Sequence, residues 1–311
     1  MTSPSLDELF ERRVIYPDSE PKERLSRLIG MDDQKQRLSK MLGLLVNPSG
    51  LQSWMQKHHP EALDAIDLLR RRPPLVVLAG DVGSGKSELA ETIGDAVARQ
   101  ENIDITLFPM SLATRGQGRV GEMTQLVSAA FETVHSEASK LKSSDGKARG
   151  AVILLIDEAD ALAQSREAAQ MHHEDRAGVN AFIRGIDRLA NSKVPAAVIM
   201  CTNRLTALDP AIRRRAADIL SFQRPNAEQR CSVLAPSLHQ FGFSEGDIAE
   251  IVAATGSERS EGYGFTFSDL TQRLVPTIIL DAYPGQKISA PRALQIARAM
   301  TPTPPFQDTA S

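Results

Sequence analysis

The sequence is poor in cysteine, in aromatic residues and in long apolar runs. Its 311 residues include two cysteines, Cys201 and Cys231. Two isolated cysteines allow neither a disulfide framework nor the spacing of a zinc site. This excludes the small disulfide-stabilised domains and the cysteine-rich zinc modules. A chain of this length, with 41% hydrophobic residues, buries enough apolar surface to fold without such supports.

Membrane and secretion signals are also missing. The apolar runs are short, as from Ala151 to Ile156, whereas a membrane helix needs about 20 apolar residues. Asp7, Glu8 and Glu11 stand where a signal peptide needs an apolar stretch. We therefore expect a cytoplasmic protein with no membrane partner.

The charge balance is close to neutral, with a formal net charge of -3. A dedicated nucleic-acid binder usually has a strong basic excess. The charge therefore argues against nucleic acid as the main partner, although it leaves room for a local basic patch.

Short apolar runs alternate with amphipathic helical patterns over the first two thirds of the chain. This alternation predicts an α/β fold, in which helices flank a mostly parallel sheet. Later apolar residues recur at helical spacing, which predicts a small helical lid domain. The expected division is a short N-terminal arm over 1–27, an α/β domain over 28–224, a helical lid over 225–300 and a disordered tail over 301–311.

A glycine-rich loop lies between the predicted strand Leu75–Ala79 and the helix that follows it. Its sequence, GDVGSGKS from Gly80 to Ser87, fits the phosphate-binding pattern G-x-x-x-x-G-K-[ST]. Glycines allow the backbone N–H groups to face phosphate oxygens, and the helix N-terminus favours the negative charge. Lys86 is expected to contact the β- and γ-phosphates of ATP, and Ser87 to bind Mg²⁺. The predicted nucleotide-binding residues of this region are Asp81, Val82, Gly83, Ser84, Gly85, Lys86, Ser87 and Glu88.

Two acids follow the buried run Val152–Ile156. Ligands of open α/β sheets bind at the carboxyl ends of the strands. Asp157 is therefore expected to help to hold Mg²⁺, and Glu158 to orient or deprotonate the attacking water. Asn203 follows a further strand, where its amide can reach the γ-phosphate or that water.

Three consecutive arginines, Arg213, Arg214 and Arg215, follow the start of a predicted helix. A solvated face or a nucleic-acid patch has the same pattern. Their position shortly after Asn203 favours arginine fingers, which reach the nucleotide of a neighbouring subunit.

As a set, these motifs resemble an AAA+ ATPase from about Leu28 to Met300. In that family the segment that corresponds to Leu28–Met31 packs against adenine, which implies nucleotide contacts for Ile29 and Gly30. The resemblance makes Asn203 the first sensor residue. It also implies a homo-hexameric ring whose arginines act on the neighbouring subunit; Arg214 matches the general AAA spacing and Arg215 matches a narrower group.

That narrower group is the pachytene-checkpoint and thyroid-receptor-interacting remodellers. The similar stretches are Asp157–Leu162 with Arg166, Arg176–Ala181 with Ile186–Asp187, and Arg215–Ile219 with Pro225. These enzymes thread the N-terminal segment of a HORMA-domain protein through their pore and open the closed, peptide-bound form. Bacterial relatives switch off antiphage signalling by cyclic-nucleotide enzymes, and this chain resembles those bacterial forms in its compactness.

One departure concerns the substrate pore loop, which the resemblance places at Arg115, Gly116, Gln117, Gly118 and Arg119. AAA+ translocases usually place an aromatic side chain there, and this chain has none. The two arginines fit either an acidic peptide or a solvated loop. Two alternatives to remodelling also stay open, a DNA-linked ATPase of the loader type and a nucleotide-switched scaffold.

Overall fold

The structure is a computed structural model that describes residues 9–62, 72–112, 122–142, 148–160, 173–258 and 262–306. Within these residues the chain divides into two units. The first contains residues up to 26, 33–79 and 87–221, and the second contains 27–32, 80–86 and the residues from 222 onwards. The division near residue 222 lies close to the expected boundary at 224. The segments 27–32 and 80–86, however, group with the helical unit.

The strands of the described chain are β1 (Val14–Tyr16), β2 (Leu75–Gly80), β3 (Asp104–Ser111), β4 (Gly150–Asp157), β5 (Ala196–Thr202) and β6 (Asp218–Phe222). They form one sheet with the order β1-β3-β4-β5-β2-β6. Strands β3, β4, β5 and β2 pair in parallel, and β1 joins the edge in antiparallel orientation. The predicted α/β fold with a mostly parallel sheet is confirmed.

The helices of the first unit are α1 (Ser19–Arg27), α2 (Asp32–Val46), α3 (Pro48–His58), α4 (Lys86–Glu101), α5 (Glu122–Leu141), α6 (His173–Ser192) and α7 (Pro210–Arg213). Strands β4 and β5 are buried along nearly their whole length. An uninterrupted apolar run is typical of a strand that is covered on both faces. None of the helices in the described ranges has the length and apolarity to cross a membrane.

The N-terminal arm is more ordered than its polar composition indicates, because it contains both β1 and α1. Tyr16 is fully buried, and its hydroxyl donates to the main-chain carbonyl of Glu91 on α4. A Cβ at Gly94 would lie 2.3 Å from the Tyr16 ring, so glycine makes room for it. Arg24 on α1 donates from Nε and from a terminal nitrogen to the carboxylate of Glu88, at 2.8 and 2.7 Å. The arm is thus held along the helix that follows the phosphate loop.

The second unit contains the helices α8 (Ala227–Gln240), α9 (Glu245–Ala254), a π-helical turn (Asp269–Leu274), α10 (Val275–Ala282) and α11 (Ala290–Ala299). Reciprocal capping boxes fix the beginnings of α8 and α9. Such caps satisfy N–H groups that have no partner within the helix. The apolar faces of these helices share one core, so the predicted helical lid is present.

The tail differs from the disordered segment expected from residue 301. The Thr303 backbone N–H and hydroxyl both donate to the carboxylate of Asp269, at 3.0 and 2.6 Å. Arg273 donates to the same carboxylate and to the carbonyl of Thr301. Residues 301–306 are therefore ordered against the lid, and residues 307–311 lie outside the described chain.

Asp269 is fully buried at the centre of this network. Burial alone raises the pKa of its carboxyl, but hydrogen bonds from Thr266, Thr303 and Arg273 outweigh burial and hold the pKa below its ordinary value. A carboxyl with a depressed pKa in the folded state stabilises the fold above its unfolded-state pKa. That contribution is lost as the pH falls through the folded-state value.

We expect Asp269→Ala to lower the free energy of unfolding by about 2–4 kcal/mol at pH 7, because buried donors lose their acceptor. Asp281→Ala is a matched control in the same unit, since it breaks a more exposed pair with Arg292, and solvent-exposed pairs contribute little to stability. Urea unfolding followed by circular dichroism measures both. The difference between wild type and Asp269→Ala should shrink below about pH 4; equal losses for the two variants at pH 7 contradict the assignment.

Candidate functional site

The phosphate loop runs from Gly80 to Lys86, between β2 and α4, and belongs to the second unit. A Cβ at Gly80 would lie 2.0 Å from the carbonyl oxygen of Phe222, so only glycine fits there. Gly83 has a φ of 71°, in the left-handed region where glycine is favoured. These glycines give the loop the open, side-chain-free curve that the motif predicts.

Lys86 is buried, and its ammonium group is held by its own loop. Its Nζ donates to the carbonyls of Gly80 and Asp81 at 2.8 and 2.7 Å, and it lies 3.3 Å from the Ser84 hydroxyl. These contacts place a positive charge at the centre of the glycine-lined curve. An anionic phosphate group is the ligand that complements this charge.

The carboxylate of Asp81 points away from that centre. It accepts from Arg224 Nε at 2.7 Å and from the Phe306 backbone N–H at 3.2 Å. Arg224 also donates to the carbonyl of Gly264 at 2.6 Å. The Asp81 carboxylate is thus engaged within the second unit. Sequence reasoning missed Arg224, which lies 143 positions from Asp81 along the chain.

The segment expected to contact adenine lies in the same unit as the loop. Gly30 has a φ of 75°, and its carbonyl accepts from Gln229 Nε2 on α8 at 2.6 Å. Ile29 is partly exposed beside it. A Cβ at Gly85 would lie 2.5 Å from Met31 Cε, so this segment packs directly on the phosphate loop. Ser268 at the start of the lid's π-helical turn also donates its N–H to the carbonyl of Gly83 at 3.1 Å.

The glycine-rich loop and the buried lysine fit a bound nucleoside triphosphate. The glycine positions leave a curve that a Cβ would fill, and the buried ammonium of Lys86 lies within it. Val82 is exposed at the tip of the loop, and Ser87 is partly exposed in the first turn of α4. Hydroxyl and carboxylate oxygens, such as those of Ser87 and Asp157, are the ligands that Mg²⁺ prefers. Glu88 is also a predicted nucleotide contact, but its carboxylate accepts a hydrogen bond from Arg24 of the arm.

In the first unit, Asp157 ends β4, and Glu158 follows it with a φ of 53°. This conformation is uncommon for a residue with a side chain and is found mostly at functional sites. The Glu158 carboxylate accepts from the Ser111 hydroxyl at 2.6 Å, and its N–H donates to Asp157 Oδ1 at 2.8 Å. Ser111 is the register partner of Asp157 in the parallel β3–β4 pair. The serine therefore holds the predicted water-activating carboxylate.

Asn203 lies at the end of β5 and is held by Asp160. The Asp160 carboxylate accepts from Asn203 Nδ2 at 3.0 Å and from the Asn203 backbone N–H at 3.1 Å. It also accepts from the Thr202 hydroxyl at 2.6 Å and from the backbone N–H of Arg204 at 3.1 Å. Sequence reasoning missed this role of Asp160. Its only sequence signal is a third acid, two positions after Glu158.

The structure separates the three candidate finger arginines. Arg214 is exposed, whereas Arg213 and Arg215 are partly buried. Arg215 donates to both carboxylate oxygens of Asp187 on α6, at 2.7 and 3.0 Å. A half-exposed pair of this kind is worth about 1 kcal/mol or less. Arg215 can therefore leave Asp187 at small cost, so both Arg214 and Arg215 remain candidates.

The predicted pore loop, with Arg115 and Arg119, lies outside the described residues. The same holds for the stretch Ala161–Leu162, for Arg166 and for the side chain of Arg176, which contribute to the family resemblance.

Comparison with known proteins identifies the group. The family model "ATPase family associated with various cellular activities (AAA)" matches residues 76–224. CD-NTase-associated protein 6 of Escherichia coli strain MS 115-1 is 69% identical over 305 residues, which cover 98% of each chain.

Two solved structures are similar over nearly the whole length. In the E. coli MS115-1 HORMA:CdnC:Trip13 complex, the matching chain is 68% identical with a TM-score of 0.91, and the match covers 98% of this chain and 100% of that one. Rhizobiales Trip13 is 56% identical with a TM-score of 0.75, over 95% and 100% of the two chains. The chain therefore belongs to the AAA ATPases and, within them, to the Trip13-type group that these bacterial relatives represent.

Proposed function

We propose that this protein is an ATP-driven remodeller that acts as a homo-hexamer on a HORMA-domain protein and so switches off antiphage signalling. One observation carries the proposal: a chain 68% identical to this one, matched over its whole length, was solved in a complex with a HORMA protein and CdnC. The name of the CD-NTase-associated relative supports the same context.

Nucleotide binding rests on the phosphate loop. Lys86 exchanges the carbonyls of its own loop for phosphate oxygens, and the glycines admit those oxygens to the backbone N–H groups. Ser87 and Asp157 would hold Mg²⁺, which would neutralise charge at the phosphates. The segment at Ile29 and Gly30 forms the side that faces adenine.

Hydrolysis rests on the polar ends of β3, β4 and β5. Glu158 accepts the proton of the attacking water, and Ser111 holds its carboxylate until the water is in place. Asp160 aims the Asn203 amide by accepting from both its backbone and its side chain. An arginine of the neighbouring subunit stabilises the charge that develops on the γ-phosphate, which couples turnover to ring assembly.

The two alternative functions, a DNA loader and a nucleotide-switched scaffold, require different properties. A DNA loader needs DNA-stimulated turnover with a steep salt dependence, and a net charge of -3 offers little for it. A scaffold needs only nucleotide binding, so Glu158 and Asn203, which are held in place by hydrogen bonds, would have no role in it.

We expect Asp160→Asn to lower ATP turnover about 10- to 100-fold. The substitution replaces one carboxylate oxygen of residue 160 by an NH₂ group, which cannot accept hydrogen bonds from Asn203, so the asparagine is no longer held. Nucleotide affinity should stay within about twofold of wild type. Thr202→Val is the matched control, since it removes one hydrogen bond to Asp160 but leaves both contacts to Asn203. Steady-state turnover and fluorescent-nucleotide titration measure the two quantities. Wild-type turnover, or a parallel loss of affinity, contradicts the positioning role.

The finger arginines are tested in mixed rings. The double variant Arg214→Ala, Arg215→Ala should lose turnover by about 10³-fold while nucleotide affinity stays unchanged. Adding Lys86→Ala subunits, which retain both arginines but bind no nucleotide, should restore part of the activity. The single variants show which arginine acts. If the mixture stays inactive although mixed rings form, the arginines do not act between subunits.

The function itself is tested by substrate trapping with Glu158→Gln, which should bind ATP but not hydrolyse it. The substrate is the purified HORMA protein of the E. coli MS115-1 complex, whose Trip13 chain is 68% identical to this one. With ATP and Mg²⁺ the variant should retain this protein, and removal of the N-terminal segment of the HORMA protein should abolish retention. Lys86→Ala, which should not bind ATP, is the control.

Three outcomes decide between the classes. Retention that needs both ATP and the N-terminal segment supports remodelling. Turnover that DNA stimulates, without retention of the HORMA protein, supports the loader. Assembled rings that neither retain the HORMA protein nor respond to DNA support the scaffold.

A further inference from the structure

A cavity of about 400 Å³ lies in the first unit, away from the residues described above. Its lining includes Pro74 and Ala196, at the amino ends of β2 and β5. These strands are parallel, so their amino ends lie on the same side of the sheet. Asn203 lies beyond the carboxyl end of β5, on the opposite side. The cavity is therefore separate from the residues assigned to hydrolysis.

The interior of the cavity is apolar. Leu45 and Val46 at the end of α2 form one wall, and Leu189 of α6 with Val194 forms another. Val46, Leu189 and Val194 are buried. Ligand pockets in proteins usually have about 300–1,000 Å³ of volume and a mainly apolar lining with a few polar groups. This cavity fits that description and has the size of a small organic molecule.

Three cationic side chains, Arg72, Lys142 and Lys193, line the cavity and are exposed. Arg72 donates to the carbonyl of Ala217 at 2.8 Å, and Lys142 donates to the carbonyl of Ser192 at 3.1 Å. Carbonyl oxygens orient these side chains without neutralising them. Among the described residues of the lining there is no carboxylate. The polar part of the cavity therefore carries a net positive charge.

Lys193 follows the last residue of α6 and has a φ of 49°. Helices commonly end with a residue in this left-handed conformation, and that residue is usually glycine. A side chain at such a position costs free energy in the folded state. Here the residue is a lysine, which places a cation at the cavity.

We propose that this cavity binds a small amphipathic anion. The apolar body of the ligand packs against Leu45, Leu189 and Val194, and its anionic group pairs with Arg72, Lys142 and Lys193. Charge complementarity selects an anion, and the apolar walls select an organic one. The volume selects a small molecule over a folded partner. This site goes beyond the remodelling activity and does not depend on it.

The probe is 8-anilinonaphthalene-1-sulfonate, a small aromatic sulfonate whose fluorescence rises in apolar surroundings. It is titrated into the full-length protein with the nucleotide site saturated with ADP. We expect one probe per chain at a saturable site. Lys142→Glu and Lys193→Glu should each weaken binding about tenfold or more, because each replaces an attraction with a repulsion. Lys57→Glu on α3, outside the cavity lining, changes the net charge equally and should leave affinity within about twofold.

Lys193→Gly separates binding from folding. It removes the cation and relieves the left-handed backbone, so probe affinity should fall while the thermal unfolding midpoint stays level or rises. Equal probe affinity in wild type, Lys142→Glu and Lys193→Glu overturns the proposal, as does a similar loss in Lys57→Glu. Probe binding that vanishes as protein concentration rises also overturns it, since the cavity is then covered by a second copy of the chain.

Discussion

The carboxylate of Asp160 joins the ends of two neighbouring strands, and the arrangement of the residues predicted to act in hydrolysis depends on it. It accepts from the Thr202 hydroxyl and from the backbone and side chain of Asn203. A charged acceptor with several donors gives short, directional hydrogen bonds. Since Asp160 follows β4 and Asn203 follows β5, one carboxylate ties the ends of these two strands together. Ser111 makes the corresponding connection from β3 to Glu158.

The helix α4 shows a second connection, between the arm and the nucleotide-binding machinery. Its first turn contains Ser87 and Glu88, and the latter is held by Arg24 of the arm. One turn further, the carbonyl of Glu91 accepts from buried Tyr16, and Gly94 makes room for the tyrosine ring. Burial and the nearby Glu91 raise the pKa of Tyr16, so its hydroxyl stays protonated and remains a donor.

The second unit brings the phosphate loop, the segment 27–32 and the lid together. Gln229 of α8 donates to Gly30, Ser268 of the lid donates to Gly83, and Arg224 pairs with Asp81. The expected boundary at 224 follows the change from strands to helices along the chain. The observed grouping follows contacts instead, and so it assigns residues 27–32 and 80–86 to the lid.

The sequence by itself determined the features that depend on neighbouring residues. The phosphate loop, the acids after β4, the alternation of strands and helices and the helical lid all have a local pattern, because each needs residues a few positions apart. Edge strands β1 and β6 were missed, since short strands owe their pairing to distant partners. Only the tertiary structure decided which side chains hold the functional groups: Ser111 for Glu158, Asp160 for Asn203, and Arg224 for Asp81, with 47, 43 and 143 positions between partners. Hydrogen bonds across such separations leave no periodic pattern, because folding alone brings the partners together. The cationic cavity beside Lys193 has the same origin, as its walls come from helices and strands far apart in the chain.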